Sequence, residues 1–170
     1  MHYLIDGYNL LFRLVESKKS LQTQRQTIIL SLQKEFKILR LEGTVVFDGS
    51  HQRGEHSGLS YHSPLIIAYS HSGQSADQYI LEKVESSSAI SEITVVTDDG
   101  FLASAARTLG AHTLSLKSFI ARLEKKNEQR RKTREEGRDQ RPFKESRKDF
   151  ERLLKIFEER LQNKEEFNGL

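Results

Sequence analysis

The chain has 170 residues, no Cys and no Trp, and sets 27 Lys and Arg against 24 Asp and Glu for a formal charge of +3. Without thiols a disulfide framework and any Cys-built zinc or iron-sulfur site are excluded, and the length allows one compact domain plus an extension rather than two independent cores. The longest apolar run, Leu65 to Tyr69, is far short of the roughly 20 residues that cross a bilayer, and the first residues lack the basic start and apolar run of a secretory signal; a soluble cytoplasmic protein, without membrane partners, is expected.

In chain order, His2 to Ile5 reads as a buried first strand that runs into a turn at Asp6-Gly7. Leu21 to Leu41 carries Leu21, Ile28, Leu32, Phe36 and Leu39 at helical spacing, with Ser20 as N-cap and Gly43 as the stop, and predicts a long amphipathic helix. Thr44 to Phe47 is β-branched and apolar and again ends in Asp-Gly, at Asp48-Gly49; a loop follows, and after Pro64 comes a third strand, Leu65 to Tyr69. Gln74 to Val84 predicts a helix capped by Ser75, with Ile80, Leu81 and Val84 turned inward. Ile93 to Thr97 is the fourth strand and stops at Asp98-Asp99-Gly100. Phe101, Leu102, Ala105 and Leu109 then form a helical face closed by Gly110, and His112 to Leu116 supplies a fifth strand. Strands that alternate with helices and are apolar on both faces predict an α/β fold, with a mainly parallel sheet covered by helices on each side.

Residues 1 to 123 are charge-balanced, with 12 basic and 12 acidic side chains. The excess lies in residues 124 to 170, where only 9 of 47 residues are apolar, too few for a second core. This second segment therefore reads as a basic, helical extension of the 1 to 123 domain. Its first part includes Lys125, Lys126, Arg130, Arg131, Lys132, Arg134, Arg138 and Arg141. Clustered cations of this kind anchor a phosphate backbone by releasing counterions. A solvated mixed-charge helix accounts for them equally well, since Glu128, Glu135 and Glu136 stand three or four positions from basic neighbours. Phe150, Leu153, Leu154, Phe157 and Leu161 form an apolar stripe that would dock on the body or on a partner, a second copy included.

Three strands end at aspartate: Asp6, Asp48 and the pair Asp98-Asp99. Parallel topology brings these ends to one edge, where ligands bind in such folds, and the helix capped by Ser75 adds Asp77 there. One Asp-Gly at a strand end is an ordinary turn and a lone first-turn Asp only favours the helix dipole. Carboxylates at every strand end are harder to assign to turns. Gathered carboxylates need a counter-charge, and a hard divalent cation, Mg2+ or Mn2+, is the natural one. Such an ion acidifies a water and neutralises a leaving oxygen on phosphorus, which points to phosphodiester hydrolysis, with Asn9 orienting a water or a phosphate and Thr97 hydrogen-bonding a ligand.

Ile5-Asp6-Gly7-Tyr8-Asn9-Leu10, Val46-Phe47-Asp48-Gly49, Ser75-Ala76-Asp77-Gln78-Tyr79-Ile80 and Val95-Val96-Thr97-Asp98-Asp99 resemble, in order and spacing, the motifs of NYN domains of the PIN-like nuclease superfamily, and most closely the YacP-like bacterial branch. The resemblance covers roughly residues 2 to 123 and, loosely, the extension. It implies a PIN-like three-layer α/β domain and a metal-dependent endoribonuclease. Asp6, Asp77 and Asp99 take the roles of metal-binding carboxylates, with Asn9 as a helper and Asp48 as a further metal candidate; Asp98 is a neighbour of the matching position. The chain departs from many relatives in having Gln78 where a second acid follows the one in the middle helix, and in having no carboxylate at Phe101 or Leu102.

Arg53 and the histidines 51, 56, 62 and 71 lie in or near the loop between Asp48 and Asp77; the imidazole spacing matches no metal motif, and these side chains read as solvated or as lining a substrate groove. Tyr8 and Tyr61 are candidates for base stacking, with packing over the first turn the stronger reading for Tyr8. No phosphate-binding glycine motif follows a strand, which leaves nucleotide-cofactor readings without support. The expected function is RNA cleavage, with RNA, or an RNA-rich particle such as the ribosome, held by the extension. Rival readings are a non-catalytic RNA-binding or ribosome-associated adaptor and a metal-dependent phosphatase, the latter weakened because Ser50 stands where such enzymes carry a second Asp.

Overall fold

The computed structural model describes residues 1–14, 21–49, 60–62 and 64–136. The expected positions Ser20, His51, Arg53, His56, Arg138 and Arg141 and the stripe from Phe150 to Leu161 lie outside the described residues, as do the side chains of Tyr61, His62 and Arg134.

Six strands form one sheet: β1 (His2–Asp6), β2 (Glu42–Phe47), β3 (Ser60–His62), β4 (Leu65–Tyr69), β5 (Ile93–Val96) and β6 (His112–Leu114). They lie in the order β3-β4-β2-β1-β5-β6, and all pairs are parallel except β3 with β4. The antiparallel edge strand β3 stands where the sequence predicts only loop, because Ser60-Tyr61-His62 is short and carries no apolar alternation to announce it. The helices are α1 (Gly7–Leu14), α2 (Leu21–Leu39), α3 (Ala76–Glu85), α4 (Gly100–Thr108) and α5 (Leu116–Glu136).

Strand alternation sorts the core into two layers. Tyr3, Ile5, Val45, Phe47, Leu65 and Ile67 pack against Ile28, Leu32 and Phe36 of α2 and against Leu116, Phe119, Ile120 and Leu123 of α5. Leu4, Val46, Ala68, Ile93 and Val95 pack against Ala76, Tyr79, Ile80 and Val84 of α3 and against Leu102 and Ala106 of α4. This is the three-layer α/β arrangement expected from the pattern of elements. The helix after β1 lies on one face and the helix after β5 on the other, so the crevice between the ends of these neighbouring strands is a topological switch point, where open α/β sheets bind ligands.

Several local expectations are corrected. Asp6-Gly7 opens α1 rather than a turn. Helix α2 stops without glycine: Arg40 takes φ +52° and Leu41 N–H returns to Phe36 O at 2.9 Å, a left-handed cap made by a basic residue. Gly43 instead lies in β2, where a Cβ would come within 2.7 Å of Phe36 Cε1 and 2.8 Å of Tyr3 O. Its missing side chain lets α2 sit down on the sheet. Leu116 starts α5 and is fully buried. Phe101, expected on the buried face of α4, is 91 % exposed, whereas Leu102 takes the inward position.

Helix α5 carries the chain without a break across the expected boundary at Leu123 and locks onto α2 through a buried polar contact. Glu35, 4 % exposed, accepts from Asn127 Nδ2 at 2.6 Å. Burial raises its pKa, against the opposing effects of Asn127, Lys34 and Arg130. A carboxyl whose folded pKa is raised adds stability that is complete below the unfolded value and is lost as pH rises through the folded one. Glu35→Gln, which keeps an acceptor for Asn127, is therefore expected to raise the melting temperature at pH 7.5 and to match wild type near pH 4; an equal difference at both pH values would contradict this account.

Candidate active site

The two central strands end in the same way. At the end of β1, Asp6 Oδ1 accepts from Asn9 N–H at 3.0 Å, and after β5, Asp99 Oδ1 accepts from Leu102 N–H at 2.8 Å. Each carboxylate caps the helix that follows, which commits one oxygen to a helix N-terminus and fixes the direction of the group. Alternation along β1 turns Asp6 to the face of Leu4, the side covered by α3 and α4.

Thr97 ties these two ends together. Its hydroxyl donates to Asp6 Oδ2 at 3.4 Å and accepts from Asp99 N–H at 3.0 Å, and Asn9 Nδ2 donates to the Thr97 hydroxyl oxygen at 3.4 Å. The Asn9 backbone N–H and the Thr97 hydroxyl thus both hold the Asp6 carboxylate.

Asp77 enters from the first turn of α3. Ser75 caps that helix in a capping box with Gln78, whose side chain accepts from Ser75 N–H at 3.0 Å while Ser75 Oγ accepts from Gln78 N–H at 3.2 Å. Gln78 is occupied with holding the helix start.

Electrostatics link the three carboxylates. Burial pushes the pKa of Asp6 up, the hydrogen bond from Asn9 opposes this, and the charge of Asp77 raises it further. Asp77 is raised by burial and then by Asp99. No cation is among the groups that set either value. Among the described residues, no three carboxylate or imidazole groups stand as a ready-made cage for an ion. The donor set nevertheless suits a hard divalent cation in its chemistry: it is all oxygen, Asp6 is only 6 % exposed, and the carboxylates repel one another.

The remaining candidates fall elsewhere. Asp98 turns away and accepts from Leu116 N–H at 2.9 Å, fixing the start of α5. Asp48 follows β2, is half-buried, and acts electrostatically on Tyr8. The Asp48-Gly49 turn is clamped to the end of β4: Gly49 N–H donates to the buried Ser70 Oγ at 3.1 Å, and a Cβ on Gly49 would collide with Ser70 O. Arg130 is spent on the fold, donating to Ile38 O in the last turn of α2. Lys125, Arg131 and Lys132 are exposed and Lys126 is half-buried. They lie toward the opposite pole from Asp6, because α5 starts beside Asp98 and then passes Met1, where Arg122 meets the thioether, before reaching the end of α2.

A cationic group at this edge escapes the sequence motifs. Arg25 of α2 lies 5.8 Å from the ring centroids of both Phe47 and Tyr69, and Tyr8 meets Phe47 edge-on at 5.5 Å. Arg25 Nη1 is buried and finds no hydrogen-bond partner among the described residues. A polar position on an amphipathic helix carries no signal that would have singled it out.

Among the described residues no helix is long and apolar enough to cross a membrane. No curated protein matches the sequence significantly. Two crystal structures of Rae1 (YacP) from Bacillus subtilis match the fold at 18 % identity: one superposes with a TM-score of 0.62 over 99 % of this chain and 94 % of that one, and a single-substitution mutant of the same protein with 0.60 over 90 % and 92 %. The family model of the YacP-like NYN domain matches residues 3–163. With that span and the strand-end motifs in place, the chain belongs to the YacP-like NYN domain family and has its PIN-like, nuclease-type fold.

Proposed function

We propose that the protein is a Mg2+- or Mn2+-dependent endoribonuclease that hydrolyses phosphodiester bonds at the edge shared by β1, β5 and α3. The observation that carries this reading is the chain of electrostatic repulsion from Asp6 to Asp77 and from Asp77 to Asp99, at the ends of β1 and β5 and the start of α3 in a YacP-like NYN domain. Asp6, Asp77 and Asp99 would hold the ion, and a cation bound there supplies an acidified water and neutralises charge on the leaving oxygen. Asn9 and Thr97 keep the Asp6 carboxylate aimed at that position.

The basic positions of α5 serve another part of the substrate. A helix of 21 residues is about 30 Å long, with Lys125 and Lys126 at its middle and Arg131 and Lys132 on its far half. Anchoring through them suits a large RNA or a ribonucleoprotein such as the ribosome, held away from the linkage that is cut.

The test is incubation of the purified protein with single-stranded and structured RNA in Mn2+, in Mg2+ and in EDTA. Internal cleavage that needs either metal and ceases in EDTA supports the proposal. Cleavage indifferent to EDTA removes the metal, and tight RNA binding with no cleavage in any metal favours the adaptor.

A further inference from the structure

The most exposed large apolar side chain among the described residues is Phe101, 91 % accessible in the first turn of α4 and two residues beyond Asp99. A single exposed Phe is ordinary on a protein surface; this one stands beside the carboxylate edge, where no neighbouring side chain covers it. A Cβ on the adjacent Gly100 would also meet nothing within 4 Å, so the approach to this turn is open.

On the other side of the same edge stands Arg25. Its guanidinium is held over Phe47 and Tyr69, the last residues of β2 and β4, and no carboxylate among the described residues pairs with it. A half-buried guanidinium with an unsatisfied donor and no counter-charge among the described residues is costly in the free protein, and an anionic oxygen placed against its exposed side would offset that cost.

Strand order places these features in sequence. Arg25 stands above β4 and β2, Asp6 ends β1, and Asp99 and Phe101 follow β5. Strands are spaced by about 4.8 Å, so the sideways offset from Arg25 to the end of β5 is roughly 12 Å; because α2 and α4 cover opposite faces, the path also crosses the sheet edge and takes at least about four nucleotides.

We infer that a single strand of RNA crosses the C-terminal edge of the sheet with one base stacked on Phe101 and a backbone phosphate held by Arg25, so that the linkage between them lies over Asp6 and Asp99. Stacking on one exposed ring accepts any base, and a guanidinium fixed by aromatic neighbours grips phosphate as a planar fork; the track is therefore single-strand-selective and tolerant of sequence. This deepens the nuclease reading and rests on it for the position of the cut, but binding can be measured without cleavage.

The experiment measures binding of a fluorescently labelled single-stranded hexaribonucleotide in EDTA, by anisotropy over a salt series. Phe101→Ala is expected to weaken binding by about tenfold and Phe101→Trp to restore it. Arg25→Met is expected to weaken binding by about tenfold and to reduce the slope of log affinity against log salt by about one, with Arg25→Lys recovering the slope but not the full affinity. Leu30→Ala and Lys37→Met, which remove an exposed apolar side chain and a charge elsewhere on α2, control for general surface effects. An abasic oligomer of equal length should lose the dependence on Phe101 and keep that on Arg25. The track is overturned if wild type does not bind the oligomer at low salt, if Phe101→Ala and Arg25→Met bind like the controls, or if a duplex shows the same dependence. Wild-type-like binding by both variants alongside Mn2+-dependent cleavage would remove the track and leave the nuclease. The expected losses in binding without cleavage in any metal would remove the nuclease and leave the track.

Discussion

Replacing Asp6 by Asn is expected to lower RNA cleavage on the order of 10³-fold or more while leaving the fold at least as stable as wild type at neutral pH in EDTA. The two outcomes share one cause. Burial raises the pKa of Asp6, and the neighbouring charge of Asp77 adds to the rise despite the hydrogen bonds from Asn9 and Thr97. For a carboxyl shifted upward, the folded state binds the proton more tightly than the unfolded state. Its stabilising contribution is therefore complete below the unfolded pKa and lost as pH rises through the folded one. At pH 7.5 the ionised group is a cost to the metal-free fold, and Asn removes that cost while keeping an oxygen for Asn9 N–H. Thermal melts in EDTA should show the variant equal to or above wild type at pH 7.5, with any advantage gone near pH 4. Added Mn2+ should raise the melting temperature of wild type more than that of the variant. A variant that cleaves like wild type, or that melts well below it at pH 7.5, would show that Asp6 serves the fold rather than the chemistry.

Gly7→Ala should damage stability and activity together. A Cβ at this position would lie 2.5 Å from Phe47 Cε1 and 2.7 Å from Val46 O. Phe47 is fully buried against Tyr8 and Tyr69 and has no room to retreat. Overpacking of this kind costs about 1–3 kcal/mol, or very roughly 2–12 °C in melting temperature for a domain of this size. Relief by backbone movement would displace the start of α1 and with it Asp6 and Asn9, so cleavage should fall further than stability alone accounts for. Gly100→Ala is the matched comparison: it too opens a helix beside a candidate carboxylate, its Cβ would meet nothing within 4 Å, and its φ is not positive. It should be neutral or stabilising by about 0.5–1 kcal/mol. Equal melting temperatures for the two variants would refute the close-approach argument.

Much of this was legible in the primary structure. Runs such as Thr44 to Phe47 and Leu65 to Tyr69 are short, β-branched and apolar on both faces, which only a covered parallel sheet can bury. Aspartates at successive strand ends marked the candidate edge. Local sequence failed where a residue answers to something distant. Gly43 looks like a helix stop, yet it is a contact point for Phe36 and the Tyr3 carbonyl. Arg130 looks like a phosphate ligand, yet it closes the end of α2. Ser70, silent in the sequence, clamps the turn after Asp48.

By itself the sequence determined the order of elements, the two-faced strands and the acidic residues available to the edge, because these follow from the side-chain periodicity and chain punctuation of short segments. The family resemblance already set Asp98 apart from Asp99, but only the tertiary structure supplied the physical reason. Asp98 and Asp99 are adjacent and chemically identical, but the first reaches back to Leu116 N–H and the second caps α4 beside Thr97. Sheet order likewise put the basic half of α5 at the far pole and Arg25 with Phe101 on either side of the carboxylates, because strand neighbours and helix faces are set by packing between segments remote in the chain.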